Sequence, residues 1–378
     1  MVKRLYIHVP FCVEKCHYCA FISSPPQNGE LGEYPDLLIR ELRGHPSGGE
    51  ALASIYFGGG TPSLLQPPQL ARLLEEINKH SGISPDAEIT LEVNPGTVDQ
   101  SSLKGFRAAG INRLSLGIQS FDENHLKCLG RIHTAEQSHR AFQDIRAAGF
   151  TNVSIDLIHS LPNQTLGQWQ TELNHALNLD PEHISIYGLT IEEGTPFAHS
   201  YPDNSPALAD EDLSADMFDL ADTLLTGSGF EHYEIANYAR SGYQSQHNNG
   251  YWRRDGYLGL GVAAHSFLRE GYGIRFSNPD TLEEYLRGVL SGKLPRIGEQ
   301  QLTRHDAIAE YMFLGLRLAK GIDLNHFEQE FGVSLQSVYG SVIPELAGLG
   351  LLIQSESTIT LTKRGMLLSN QVFSRLLP

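Results

Sequence analysis

Six strand-like runs, each followed by a helix-like segment, succeed one another through the first half of the chain. The predicted strands cover residues 5–9, 54–57, 88–93, 112–118, 152–158 and 183–189. Repeated strand–helix units favour a parallel sheet with helices outside it. Because the crossovers between parallel strands are right-handed, such a sheet curls into a barrel or part of one. The predicted fold class is therefore α/β, with a partial (β/α)6 barrel.

The strand–helix pattern loosens after about residue 189, and the stretch 231–273 is rich in Tyr, Asn and Gly. Three helical segments and two short strands then occupy 304–361, which is the order of a winged helix. We predict a barrel domain over 1–235, a connecting region over 236–300 and a winged-helix-like α+β module over 301–378. The module has little basic surface beyond Lys363 and Arg364, so a packing or lid role is favoured over DNA binding.

The charge of the chain argues against a nucleic-acid partner. Its 378 residues include 44 acidic and 28 basic side chains, for a net charge of −16, whereas phosphate binding requires clustered Lys and Arg. No apolar run approaches the ~20 residues of a membrane span, and no signal segment is recognisable, so no transmembrane segment is expected. The four cysteines do not resemble a disulfide framework, which favours a cytoplasmic location.

Three cysteines follow the first predicted strand with the spacing C-x3-C-x2-C. They are Cys12, Cys16 and Cys19. Thiolates on one tight loop can hold a soft metal centre, either an iron–sulfur cluster or zinc. With three ligands, a cubane cluster keeps one iron open to an outside ligand. A zinc site completed by His17 or Cys128, or simple burial of the thiols, remains an alternative.

A glycine-rich turn follows the second predicted strand, in the stretch 58–62. Its glycines, Gly59 and Gly60, allow a ligand to approach the backbone closely, and Thr61 adds a hydroxyl. The turn lacks the Lys-Ser/Thr of a phosphate-binding loop. Alone it would be a tight strand-to-helix connection, but its position at a strand end, on the same rim as the cysteines, favours a ligand-binding loop.

Polar side chains also occur at or near the ends of successive apolar strands. Burying a charge in a sheet is unfavourable unless it is paired, and several such residues at neighbouring strand ends predict a convergent polar pocket. Such a pocket could bind an amine, a carboxylate and ribose hydroxyls. The residues concerned are Glu92, Gln119, Arg131 and Asp156.

These motifs resemble the radical S-adenosylmethionine superfamily and, more narrowly, the HemN-like family of oxygen-independent coproporphyrinogen III dehydrogenases. The likeness is carried by Tyr-Ile-His-Val-Pro-Phe-Cys, Phe-Gly-Gly-Gly-Thr-Pro-Ser, Leu-Glu-Val-Asn-Pro-Gly, Leu-Gly-Arg-Ile-His and Asp-Leu-Ile-His-Ser-Leu-Pro-Asn-Gln-Thr, in order between positions 6 and 165. The resemblance implies that the three cysteines hold a [4Fe-4S] cluster whose open iron chelates S-adenosylmethionine. By the same resemblance, the S-adenosylmethionine contacts are Tyr6, Tyr18, Gly59, Gly60, Thr61, Glu92, Gln119, Arg131 and Asp156.

Three departures narrow the resemblance. Phe21 occupies the position of the dehydrogenases' fourth cysteine, the segment before Cys12 is short, and residues 247–252 contain H-N-x-x-Y-W. Together they resemble the HemW group of heme chaperones. The implied function is to bind heme and pass it to acceptor proteins, with an electron donor for the cluster. The alternative is the porphyrinogen dehydrogenase itself, so whether the chain is an enzyme stays open.

The resemblance implies that His247 binds the heme. A neutral imidazole is a common axial ligand, and Tyr251 and Trp252 could stack on a flat macrocycle. Without the resemblance, a loop histidine beside two core aromatic residues is the simpler interpretation. Because the loops at the strand ends share one face of a barrel, we expect the heme motif and the cysteine loop around the same barrel mouth.

Overall fold

A computed structural model describes residues 2–47, 49–202 and 205–377 of the protein. Its centre is a set of six parallel strands that pair in chain order. They are β1 (Arg4–Val9), β2 (Leu52–Gly59), β3 (Ile83–Val93), β4 (Arg113–Gln119), β5 (Val153–His159) and β6 (His183–Gly188). The predicted α/β class and partial (β/α)6 barrel are therefore confirmed.

Helices follow the first five strands, and most of them begin at a recognisable cap. The Thr134 and Thr165 hydroxyls each accept a hydrogen bond from the backbone N–H of the glutamine three residues on. The side-chain oxygen of that glutamine accepts the threonine N–H in turn, which completes a capping box. The apolar faces of the helices pack on the sheet. These helices are α1 (Glu30–Gly44), α2 (Pro67–Ser81), α3 (Gln100–Ala109), α4 (Glu123–Leu129), α5 (Ala135–Ala147) and α6 (Leu166–Leu179).

Short strands extend the sheet at both edges of the barrel. The segments beyond β6 are α7 (Pro196–Ser200), α8 (Glu211–Gly227), β7 (Glu231–Glu234), β8 (Asn237–Ala239), α9 (Gln246–Trp252), β9 (Tyr257–Leu260), β10 (His265–Leu268), β11 (Ile274–Ser277), α10 (Leu282–Leu290) and β12 (Ile297–Gln301). The strand order is β12-β11-β10-β9-β1-β2-β3-β4-β5-β6-β8-β7. The stretch 231–273, to which the sequence assigned no strands, thus contains four of them, because strands of three or four residues leave no readable periodicity.

The C-terminal module has its own apolar core, which contains Met312 and Phe327. Its sheet has the order β13-β15-β14, and the β14–β15 hairpin is the predicted wing. Glu310 ties the module to the barrel, since Arg254 and Arg275 both pair with it. The elements are α11 (Arg304–Gly315), β13 (Ile322–Asp323), α12 (Leu324–Phe331), α13 (Leu335–Tyr339), α14 (Val342–Gly348), β14 (Leu352–Gln354), β15 (Thr358–Leu361), α15 (Lys363–Leu367) and α16 (Ser369–Ser374).

Among the described residues, none of the helices has the length and apolarity that a bilayer crossing requires.

Helix α9 closes the amino-terminal end of the barrel, and we call it the plug helix. The Glu88 carboxylate accepts the backbone N–H groups of Gln246 and His247, each at 3.0 Å, so a buried anion caps the first turn. The Arg4 guanidinium donates to the Gln246 carbonyl at 2.6 Å and pairs with Asp255. These contacts fix the plug helix against the start of β1 and the middle of β3.

The fit of the plug helix depends on Gly250. A Cβ atom added there would lie 1.6 Å from Arg4 Nε. We expect Gly250→Ala to displace Arg4 from its buried pair and to lower the free energy of unfolding by about 3 kcal/mol. Gly167→Ala is the matched control, because that helical glycine has nothing within 4 Å and should leave stability unchanged or raise it by about 0.5 kcal/mol. Urea denaturation of both variants measures the difference, and equal stabilities would contradict the packing described.

Candidate functional site

The cysteine loop leaves the carboxyl end of β1 and is held at both of its ends. Phe11 and Ser24 form an isolated bridge, and Cys12 donates its N–H to the Ser24 carbonyl at 3.1 Å. The Phe11 carbonyl also accepts the Thr61 N–H at 2.6 Å, which joins the loop to the glycine-rich turn after β2. Two motifs that are far apart in sequence are therefore neighbours at one barrel mouth.

The middle of the cysteine loop is fixed by His17, which is engaged in structural contacts. Its ring Nδ1 lies 2.9 Å from the Cys128 carbonyl, and its backbone N–H donates to the Leu129 carbonyl at 3.0 Å. Cys128 is also committed, because its Sγ lies 3.3 Å from the Tyr201 hydroxyl. Among the described residues, neither candidate for a fourth zinc ligand joins the three cysteines in a group placed to hold one metal ion.

A cavity of about 510 Å³ opens at this barrel mouth. It lies at the carboxyl ends of the parallel strands, where loops from successive strands converge. It is lined by every residue predicted for the cluster and S-adenosylmethionine except Tyr6, namely Cys12, Cys16, Tyr18, Cys19, Gly59, Gly60, Thr61, Glu92, Gln119, Arg131 and Asp156.

Tyr6 lies on β1 beside the cavity. Its ring is 6.2 Å from that of Tyr56, and its hydroxyl lies 3.1 Å from His8 Nδ1. It therefore supports neighbouring side chains and does not line the cavity. Tyr18 does line it, and burial raises the pKa of the Tyr18 phenol, so this hydroxyl stays protonated and available as a donor.

The glycines of the turn are required by close approach to β1 and to the start of the cysteine loop. Gly59 has φ +113°, and a Cβ there would come within 2.7 Å of the His8 ring. At Gly60, a Cβ would lie 2.4 Å from the Phe11 carbonyl oxygen. Larger side chains would push the turn away from the loop and fill the space between them.

Two half-buried carboxyl groups, Glu92 and Asp156, form the acidic wall of the cavity. Burial and the nearby Asp156 raise the pKa of Glu92 to about 7, although the Tyr56 hydroxyl donates to it at 2.8 Å. Burial also raises the pKa of Asp156, which accepts from the Ser115 hydroxyl at 3.2 Å. Because like charges so close repel each other, a cationic or hydrogen-bond-donating ligand would stabilise both in the ionised state.

Arg131 supplies positive charge to the same cavity. Its guanidinium donates to the Gly117 carbonyl at 2.7 Å and to Asn94, and it lies 3.4 Å from Cys16 Sγ. Its Nε has no hydrogen-bond partner among the described residues. A donor of this kind beside a thiol can stabilise thiolate and pair with the carboxylate of a ligand.

Gln119 and Asn94 complete the wall. Gln119 ends β4 with φ +69° at an irregularity of the strand pairing, a backbone state that non-glycine residues adopt mainly where the surroundings impose it. Asn94, which the sequence reasoning did not select, donates to the Thr61 hydroxyl at 2.9 Å. The sequence feature that could have identified Asn94 is its position directly after β3, at the start of Asn-Pro-Gly.

The three thiols suit a cluster better than a single ion. None of the four cysteines is in a disulfide, and burial raises the pKa of Cys12 and Cys19. No group of three or more His, Cys, Asp or Glu side chains in the described ranges is placed around one point to hold a single metal ion. Thiolates that each bind a different iron of a cube need not converge on one point, and a neighbouring guanidinium offsets their charge.

His247 lies at the other end of the barrel. Its Nδ1 is 2.9 Å from the Ser54 hydroxyl, near the start of β2, and its Nε2 is 2.8 Å from the Tyr251 hydroxyl. Ser54 and Gly59 are five residues apart on β2, or roughly 16 Å. The expectation that the heme motif and the cysteine loop share one barrel mouth is therefore wrong. The plug helix, which carries His247, lies at the amino-terminal end of the barrel, and the cysteine loop lies at the carboxyl end.

The surroundings of His247 do not fit an iron ligand in this conformation. The side chain is 1% exposed, both ring nitrogens are hydrogen-bonded, and burial lowers its pKa to about 3. Iron could reach it only after the Ser54 or Tyr251 bond breaks. Heme ligation by His247 stays a prediction that this arrangement does not favour.

Comparison with known proteins agrees with this geometry. A model of the Radical SAM superfamily matches residues 6–176, and a model of the HemN C-terminal domain matches residues 302–368. The heme chaperone HemW of Bacillus subtilis is 36% identical, covering 100% of this chain and 99% of that protein. Mouse radical S-adenosyl methionine domain-containing protein 1, mitochondrial, is also 36% identical, covering 99% of this chain and 87% of that protein.

A solved structure, coproporphyrinogen III oxidase (HemN) from Escherichia coli, superposes with a TM-score of 0.85 at 25% identity, covering 98% of this chain and 89% of that one. The parallel partial barrel, with cysteines and a polar cavity at its mouth, defines a radical S-adenosylmethionine protein. Within that superfamily, the chain belongs to the HemW family of heme chaperones.

The buried position of His247 predicts a structural contribution. We expect His247→Ala to lower the free energy of unfolding by about 3 kcal/mol, because it removes the hydrogen-bond partner of the Tyr251 hydroxyl, leaves the Ser54 hydroxyl with Arg4 alone and opens a cavity. His265→Ala, at an exposed position of β10, is the control and should be neutral. Chemical denaturation compares the variants, and wild-type stability of His247→Ala would show that the plug does not depend on this side chain.

Proposed function

We propose that this protein is a heme chaperone that carries a [4Fe-4S] cluster on Cys12, Cys16 and Cys19, with an exchangeable S-adenosylmethionine on the open iron. The observation that carries the proposal is the cavity at the carboxyl ends of the strands, where three thiols meet a glycine-rich turn and a polar wall. Membership of the HemW family supports heme as the cargo. The cluster supplies redox chemistry when it is bound.

The residues of the polar wall match the groups of S-adenosylmethionine in charge. Arg131 would pair with its carboxylate, and Glu92 would accept from its amino group. Asp156 would accept from the ribose hydroxyls. The backbone of Gly59 and Gly60 and the Thr61 hydroxyl would contact the same ligand, with Tyr18 and Gln119 beside them and Tyr6 as a support.

Heme is the cargo in this proposal, and its acceptors are other proteins. An electron donor would reduce the cluster. A cytoplasmic location is proposed because solvent-accessible cysteines remain reduced there.

The alternative is oxidative decarboxylation of coproporphyrinogen III, which the likeness to HemN brings into consideration. Phe21 stands 66% exposed at the edge of the cavity, in the place of the dehydrogenases' additional cysteine. The residue offers an apolar contact for a porphyrin or a protein partner and no group for acid–base or metal chemistry. It therefore favours the chaperone.

The raised pKa of Glu92 predicts a pH-dependent affinity for S-adenosylmethionine. Below a pKa of about 7 the carboxyl is protonated and accepts the ligand's N–H groups weakly. We expect the affinity of the cluster-loaded protein to rise about five- to ten-fold between about pH 6 and about pH 8. Equilibrium dialysis with labelled ligand measures it.

Two variants test the assignment to this carboxyl. Glu92→Gln should bind more weakly and lose the pH dependence. Glu14→Gln alters an exposed carboxyl that lines the same cavity and should keep the wild-type profile. An unchanged profile in Glu92→Gln would remove Glu92 from the ligand contacts.

Hemin titration and a product assay on the same anaerobic preparation test the function itself. We expect saturable hemin binding near one equivalent, with a shifted Soret band, and release to an apoprotein that binds heme. Incubation with reduced cluster, S-adenosylmethionine and coproporphyrinogen III should yield no vinyl product above background. Product formation without hemin binding would establish the dehydrogenase instead.

A further inference from the structure

Asn94 connects two of the residues that line the cavity at the barrel mouth. It lies directly after β3, its side chain is half-buried, and it lines the same cavity as Thr61 and Arg131. Its Nδ2 donates to the Thr61 hydroxyl at 2.9 Å, and its Oδ1 accepts from the Arg131 guanidinium. One planar amide therefore joins the glycine-rich turn after β2 to the segment that follows α4.

The two partners determine which way the Asn94 amide is turned. A guanidinium only donates hydrogen bonds, so the amide oxygen must lie on the Arg131 side and the NH2 group on the Thr61 side. An aspartate has the same shape but lacks the donor, and a leucine of similar size lacks both polar groups. The two contacts together therefore require an amide at this position.

The surrounding backbone holds the Asn94 amide in place without a ligand. The Asn94 carbonyl accepts the Thr97 N–H at 3.0 Å and the Thr97 hydroxyl at 2.9 Å. A short helical turn, Pro95–Thr97, begins directly after Asn94, and the proline ring fixes φ at its first position. Gly117 leaves room on the other side, since a Cβ there would lie 3.1 Å from Asn94 Oδ1.

The Arg131 guanidinium is anchored by neutral groups only. Its Nη2 donates to the Asn94 amide oxygen and to the Gly117 carbonyl, the second at 2.7 Å, while its Nη1 lies 3.4 Å from Cys16 Sγ. No Asp or Glu side chain in the described ranges forms a salt bridge with it. A guanidinium held in this way keeps its charge for a carboxylate that a ligand brings.

The same amide sets the direction of the Thr61 hydroxyl proton. When the hydroxyl oxygen accepts from Asn94, its own O–H points to a different acceptor. The bond from Asn94 is the hydroxyl's only hydrogen bond in the part of the chain that the structure describes. Thr61 is buried and lines the cavity, so a ligand or water there would complete the hydroxyl.

We propose that Asn94 is a positioning residue that gives the cavity its selectivity for a ligand with a carboxylate. Its amide anchors the Arg131 guanidinium without neutralising it and directs the Thr61 proton towards the same ligand. The proposal rests on the proposed function, because it takes S-adenosylmethionine as that ligand. An aspartate in this place would pair with Arg131 and neutralise the charge that the ligand's carboxylate needs.

The test compares S-adenosylmethionine with decarboxylated S-adenosylmethionine on the cluster-loaded full-length protein. The second probe keeps the adenosine, the sulfonium and the amine, and lacks only the carboxylate. We expect Asn94→Asp to weaken binding of S-adenosylmethionine at least ten-fold, because the new carboxylate pairs with Arg131 and repels that of the ligand. Binding of the decarboxylated probe should weaken less than three-fold. Equilibrium dialysis measures each affinity relative to that of the wild type for the same probe.

Two further variants complete the test. Asn94→Ala removes the anchor and leaves the charge of Arg131, so binding of S-adenosylmethionine should weaken about three- to ten-fold and binding of the decarboxylated probe should not change. This variant carries the test if Asn94→Asp does not retain its cluster. Asn174→Asp adds the same charge at an exposed position of α6 outside the cavity. It is the matched control and should bind both probes as the wild type does.

The outcomes separate this proposal from the function on which it rests. If the wild type does not bind S-adenosylmethionine, that part of the proposed function fails, and the role of Asn94 fails with it. If the wild type binds it and both Asn94 variants bind it equally well, only the role of Asn94 is overturned. Equal weakening for both probes would also overturn that role, since it would show a general distortion of the barrel mouth.

Discussion

The common direction of the six central strands is the constraint on which the rest of the structure depends. Because β1 to β6 all run the same way, the barrel has two chemically different ends. Every loop that leaves a strand at its carboxyl end contributes to one mouth, where the cysteine loop and the glycine-rich turn meet through the Phe11 carbonyl. At the other end, the plug helix is capped by Glu88 and covers the strand starts. The direction of the strands therefore places the cysteine loop and the H-N-x-x-Y-W motif at opposite ends of the barrel.

Charged side chains inside the barrel lower the stability of the fold, and their positions indicate where a ligand binds. Glu88 and Arg113 lie 3.9 Å apart and are both buried, and two further carboxyl groups with raised pKa values stand above them at the mouth. A barrel built for stability alone would fill this space with apolar side chains. The charges at the mouth face a cavity, so they are placed to meet a ligand. The charges beside the plug helix, Glu88 and Arg113, pair with each other, and Glu88 also accepts backbone N–H groups, so these two residues are structural.

Much of the fold and of the mouth could be predicted from the sequence, for identifiable reasons. Apolar strands alternating with amphipathic helices imply a parallel barrel, and strand polarity then brings Cys12, Gly59, Glu92 and Asp156 together without further information. The edge strands were missed because they are too short to show a period. The position of His247 could not be predicted, since it depends on Glu88 capping a helix more than a hundred and fifty residues away.

The central claim is that one chain binds a [4Fe-4S] cluster through three cysteines and binds heme at a place that does not involve those cysteines. Iron, sulfide and heme analysis of a single anaerobic, hemin-loaded sample tests it most directly, with the wild type compared to the variant in which Cys12, Cys16 and Cys19 are all replaced by Ala. The account predicts about four sulfides and about five irons per wild-type chain, and a variant that has lost the sulfide and about four irons but keeps its heme. Heme lost together with the cluster, or sulfide retained without the three cysteines, would contradict it.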